Sequence, residues 1–149
     1  MLTVGQNLSV DKARAVEEVG RRVTAARARH VTLIPGQEGT YVEKKAQALR
    51  WIATSVNGPP EVADPGAFRF IFREVGTTGE NPDQVAQVIA NLANAWGIVG
   101  PDIEGARVDA NAAIRASTNR AEIAACLDAL DDDLDDAHAN LAAILAGLD

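Results

Sequence analysis

The sequence predicts an all-α fold, a helical bundle with long amphipathic helices at its N- and C-terminal ends. Three observations carry this expectation. Ala, Val, Ile and Leu are plentiful, whereas aromatic residues make up only 4% of the 149 residues; alanine is the best helix former and lets helices approach closely. The two-residue alternation of half-buried strands is nearly absent. The C-terminal stretch holds a coiled-coil-like seam of Ile123, Leu127, Leu130, Leu134, Ala137, Leu141, Ile144 and Leu148, spaced 4, 3, 4, 3, 4, 3 and 4.

Each element has its own signals. Residues 1–8 read as an extended lead, and Ser9 or Asp11 as the cap of a first helix running to about His30. Val16, Val19, Val23 and Ala26 recur at spacings of 3, 4 and 3, a narrow stripe on that helix. Pro35-Gly36 and Gly39 break it, with Val31–Ile34 either pairing as a short strand or lying extended across a neighbour. Thr40-x-x-Glu43 has the pattern of a capping box for a second helix. Tyr41, Ala48, Leu49, Ile52 and Val56 would form its inner side, Trp51 lies off that stripe, and Asn57-Gly-Pro-Pro60 stops it.

Asp64-Pro65 starts a short third helix, on which Phe68, Ile71, Phe72 and Val75 share a core face. Asn81-Pro82 repeats the cap-plus-proline signal, followed by Val85, Val88, Ile89, Leu92 and Trp96. At Gly97, Gly100 and Pro101 this helix either ends or is kinked and continues. Ile103, Ala106, Ala110 and Ile114 mark the following helical stretch, which Ser117-Thr-Asn119 interrupts. Asn119-x-x-Glu122 then caps the last helix, roughly 45 Å long at 1.5 Å per residue if it reaches residue 148. The chain thus divides into an N-terminal helix and linker suited to partner binding (1–39), a central helical module (40–118) and the heptad helix (119–149).

Charge is unevenly placed. Residues 1–50 hold nine Lys/Arg against five Asp/Glu, residues 51–100 two against five, and residues 101–149 three against eleven. The basic front and acidic back can attract each other within one chain or between neighbours, or stay separately solvated. A seam as regular as the last helix needs a partner helix. That partner is either the first helix of the same chain or the same helix in another subunit. The expected interface residues are Val16, Val19 and Val23 in the first helix, and Ile123, Leu127, Leu130, Leu134, Leu141, Ile144 and Leu148 in the last.

Chemistry-bearing patterns are few. The single cysteine, Cys126, lies in an apolar helical stretch and reads as a buried thiol; a disulfide within one chain and a Cys-based zinc site are both excluded. His30 and His138 are the only histidines, and no Gly-x-Ser-x-Gly, P-loop or His-Glu-x-x-His motif occurs. Asp131, Asp133 and Asp135 have the first spacings of an EF-hand loop, but Asp136 and Ala142 stand where glycine and glutamate are required, so the run reads as a solvated helix face. Arg14, Arg21, Arg22, Arg27 and Arg29 make one basic helix without interleaved aromatics in an acidic chain, which argues against nucleic acid as a partner. No catalytic, cofactor-binding or metal-binding residues are expected. Residues 1–20 lack the apolar core of a secretory signal, and no apolar run is long enough to span a membrane, so synthesis in the cytoplasm is expected.

One order of motifs goes further. Tyr41-x-x-Lys44-x-x-Ala-x-Ala48 opens a helix, and a proline-containing linker follows. An apolar short helix then ends at Gly76/Gly79, and Asp83-x-Val85-Ala86-x-x-Ile89 leads to Trp96. Ile103-Glu104-x-x-Arg107, Ala113-Ile114 and Thr118-Asn119-x-Ala121-Glu122-Ile123 complete it, with Pro35-Gly36-Gln37-x-x-x-Tyr41 as lead-in. Over 41–130 this resembles the small helical modules of bacteriophage tail and tail-fibre proteins, departing from them at Gln47, where an acidic residue is common, and at Gly100-Pro101. The resemblance implies a non-enzymatic structural protein of the virion tail, an adaptor or fibre-linked component that forms homo-oligomers and contacts other tail proteins. It brings no catalytic residues. A tail-fibre assembly chaperone absent from the finished particle, and a small helical enzyme or metal protein, are the alternatives.

Overall fold

Alanine-rich stretches with few β-branched or aromatic interruptions go helical wherever caps and burial permit, and the protein is all-α. The structure, a computed structural model, describes residues 4–29, 37–55 and 65–147. Its helices are α1 (Val4–Ala28), α2 (Gln37–Ser55), α3 (Arg69–Glu74), α4 (Pro82–Ala116) and α5 (Arg120–Ala146). The expected breaks at Val31–Gly36 and Asn57–Pro60, and the cap at Asp64, lie outside the described residues, whereas Gly39, expected in the first break, lies inside α2.

Two compact units divide the chain. One contains α1, α4 from Gly97 onward and α5; the other contains α2, α3 and α4 up to Trp96. These are not the three segments expected from the sequence. The first and last helices belong to one unit because α1 packs against α5, and the segment expected as one module over 40–118 is divided inside α4.

In the first unit, α1 begins at Val4, ahead of Ser9 and Asp11. No proline interrupts Gly5–Val10, and half-buried Leu8 extends the inner side. Buried Ala15, Val19, Val23 and Ala26 continue that side. From α4 come Val99, Ile103, Ala106, Ala110 and Ile114, and from α5 Ile123, Leu130, Leu134, Ala137 and Leu141. Each buried Leu, Ile or Val contributes about 1.5–3 kcal/mol. Asn119 caps α5, its Oδ1 accepting the Glu122 N–H at 2.9 Å, while the Glu122 carboxylate accepts the Thr118 N–H at 2.5 Å. The Asn119 cap is the one its position predicts, whereas Glu122 bonds Thr118, the residue before the cap, and not the Asn119 N–H of a capping box.

The second unit is organised around Trp51. Its ring meets Phe68 and Phe72 edge-on, at centroid distances of 5.1 and 5.7 Å, and its Nε1–H donates to Asp83 Oδ1 at 2.6 Å. Ala48, Ile71, Val85 and Ala86 complete the buried cluster, with Ile52, Val75 and Ile89 against it. The helix is therefore rotated from the expected setting: Trp51 faces in, while Tyr41 and Leu49 face out. The expected Thr40–Glu43 box does not form, because α2 already starts at Gln37 and Thr40 lies inside it. Glu43 instead accepts from the amide of buried Gln47. Gln47 Oε1 accepts the Phe70 N–H at 3.0 Å, one of the open amides of the first turn of α3, whose own N-cap Phe68 offers no side-chain acceptor.

Between α3 and α4 the chain turns through Gly76, at φ +89°, a conformation that favours glycine. The Gly76 N–H donates to Gly79 O at 2.7 Å. A Cβ on Gly79 would lie 2.8 Å from Gln84 Cβ and 2.9 Å from the Val85 nitrogen, so only glycine fits against the start of α4. Asn81 caps that start, accepting the Gln84 N–H at 2.9 Å, and Pro82 takes the first helical position. α4 then runs through Gly97, Gly100 and Pro101 as one helix, so the stretch from Ile103 is its continuation.

Two outcomes follow for chemical denaturation. Leu130 is 1% exposed, so Leu130→Ala should lower the unfolding free energy by about 2–5 kcal/mol. Gly20 is an exposed helical residue with nothing within 4 Å of an added Cβ, so Gly20→Ala should raise it by about 0.5–1 kcal/mol.

Candidate functional site

The residues expected to meet other subunits are mostly interior. Val19 (0% exposed), Val23, Ile123, Leu130, Leu134 and Leu141 are buried within the first unit, and Val16, Leu127 and Ile144 are half-buried there. Leu148 lies outside the described residues. Of the two partners left open for the heptad seam, α1 of the same chain occupies it. Most of the seam is therefore covered within the chain, with Val16, Leu127 and Ile144 left half-buried.

Charge reinforces the same packing. Arg22 bridges Glu18 on its own helix and Asp131 on α5, at 3.0 and 2.9 Å. It also donates to the carbonyl of Leu127. Arg29 lies 3.6 Å from Asp135, Arg27 pairs with Glu104 of α4 at 3.0 Å, and Lys12 Nζ donates to Arg115 O at 2.6 Å. Arg120 of α5 reaches back to Asp11 at 2.5 Å. The basic front and acidic back thus attract each other within one unit. Hydrogen bonds from Arg22, then Arg21, hold the Glu18 carboxyl below its ordinary value; Arg107, with Arg27 adding its charge, does the same for Glu104. The partner guanidiniums of Arg22 and Arg107 are correspondingly raised, chiefly by their bonds to Glu18 and Glu104.

Asp131, Asp132, Asp133, Asp135 and Asp136 are exposed along α5, with Leu134 buried in their midst, as a solvated helix face requires. Asp133 and Asp136 look across an open groove of about 480 Å³ at Asp102 and Asp109 of α4, over a floor of Gly105, Ala106 and Ala137. Among the described residues, no group of three or more His, Cys, Asp and Glu side chains is placed to hold a metal ion. His30 lies outside the described residues and His138 is exposed on α5. Cys126 is half-buried rather than buried, its Sγ 3.6 Å from Ser117 Oγ. Among the described residues, no helix is long and apolar enough to cross a membrane.

The most conspicuous unused surface belongs to α2. Lys44, Gln47, Ala48 and Trp51 point into the second unit, with Lys44 paired to Glu74. Val42, 71% exposed, lies on the outward side with Leu49 and Tyr41, both 48% exposed, and with exposed Ala46 and Ala53. Val42 and Leu49 are two turns apart and stand one above the other. No expectation from the sequence singled out Val42, and Tyr41 and Leu49 were placed inside. The available signal was a second apolar stripe, Val42, Ala46, Leu49 and Ala53, at spacings of 4, 3 and 4. Comparison with protein-family models, with curated proteins and with solved structures finds no match to this chain.

The lowered carboxyls give a signed pH dependence. A carboxyl lowered in the folded state stabilises above its ordinary value, 4.5 for Glu18 and Glu104, and that contribution disappears as the pH falls through the lowered value. Thermal unfolding of wild type and the E18Q/E104Q variant should therefore differ near neutral pH, with wild type the more stable. The gap should close below about pH 4.5.

Proposed function

We propose that this chain is a non-enzymatic structural protein of a bacteriophage tail, a tail-fibre-associated or adaptor component that works through helix-mediated contacts with other tail proteins. The observation that carries the reading is the two-faced α2. Its inner side, Lys44, Gln47, Ala48 and Trp51, builds the second unit, while Tyr41, Val42 and Leu49 present apolar area to solvent. The same segment opens the order of motifs that resembles tail modules. Exposed apolar side chains grouped on one helix face suit protein contact better than chemistry on a small molecule. In this reading the docking face is α2, and the N- and C-terminal helices form the scaffold rather than the interface.

Quantitative mass spectrometry of purified virions of the encoding phage tests the proposal. The chain should appear at a fixed, small stoichiometry beside the tail proteins. A V42D/L49D variant, altered only at exposed positions, should fold normally and be lost from the particle. Presence in the lysate and absence from particles would favour the assembly-chaperone alternative. Full incorporation of the variant would remove α2 as the docking face.

A further inference from the structure

We propose that α1 is a strap that ionic strength releases from the first unit, uncovering apolar residues of α4 and α5. The apolar hold of α1 is slight. Its buried side chains are two alanines and two valines, whereas every buried Ile and Leu among the described residues of that unit comes from α4 or α5. Burial free energy scales with apolar area, so the side chains that α1 itself brings contribute less than the Ile and Leu side chains of α4 and α5. Polar contacts along α1 supply the balance. Asp11–Arg120, Arg22–Asp131 and Arg27–Glu104 tie both ends and the middle of the helix to its two neighbours.

All three pairs are partly solvated; the Arg27 and Glu104 side chains, for example, are 43% and 45% exposed. Salt screens such pairs, with a Debye length of about 3 Å at 1 M against about 30 Å at 0.01 M. Each exposed pair contributes modestly, but three acting on one helix shift its opening by about tenfold or more when screened together. Exposed Gly20 weakens the helix further at its middle. Local opening of one weakly held element while the remainder stays folded is ordinary behaviour for a small domain.

Hydrogen exchange of the full chain, read at the Val19, Val23 and Leu130 amides in 10 mM and 1 M sodium chloride, tests this. The α1 amides should exchange about tenfold faster or more at high salt, with the Leu130 amide still protected. An R22Q/R27Q variant at low salt should exchange its α1 amides faster than wild type at low salt and respond less to added salt. Salt-insensitive α1 amides, equal acceleration of α1 and Leu130, or a variant that keeps the wild-type salt response would each overturn the strap.

Discussion

The seating of α1 against α5 is the contact that completes the first unit. The heptad seam of α5 stays partly open until another helix lies along it, and α1 brings a stripe of small residues with a matching repeat. Small residues allow close approach but bury little area, so the arginines of α1 and the aspartates of α5 contribute alignment as well as attraction. Opposite charges distributed along two helices favour one register over a slipped one. The regular stripe, the basic front and the acidic back are thus parts of a single arrangement.

The second unit rests on a different device. One tryptophan, held by two edge-on phenylalanines and a carboxylate that takes its N–H, lets α2, the short α3 and the beginning of α4 bury a compact cluster. Its polar groups are matched locally: Gln47 closes the start of α3, Asn81 the start of α4, and Glu74 accepts the Thr77 and Thr78 N–H groups in the turn. α2 completes this cluster with one side only, which leaves the Val42–Leu49 side for another protein in the proposed reading.

Where local chemistry decides, the sequence was readable. The all-α class, the Asn119/Glu122 cap, the Asn81-Pro82 start and the Phe68–Val75 core face all follow from short-range patterns. Elsewhere, longer-range packing decided. Apolar residues cover more than half of the circumference of α2, so periodicity alone does not fix which side faces in, and Trp51 sets the rotation through its bulk and its Asp83 bond. Gly97, Gly100 and Pro101 argue locally for a break, yet buried Val99 and Ile103 on either side keep α4 continuous. A capping pattern at Thr40 lost to a helix that starts earlier. The heptad seam announced its need for a partner but not which helix would supply it, because intrachain and intersubunit packing share one pattern.

The seam of α5 is covered by α1 within one chain. Hydrogen exchange at the Val19 and Val23 amides of α1 over a hundredfold range of protein concentration addresses it most directly. Protection should not change on dilution, since α1 of the same molecule covers the seam. Protection that falls as the protein is diluted would contradict it and return the seam to an interface between copies.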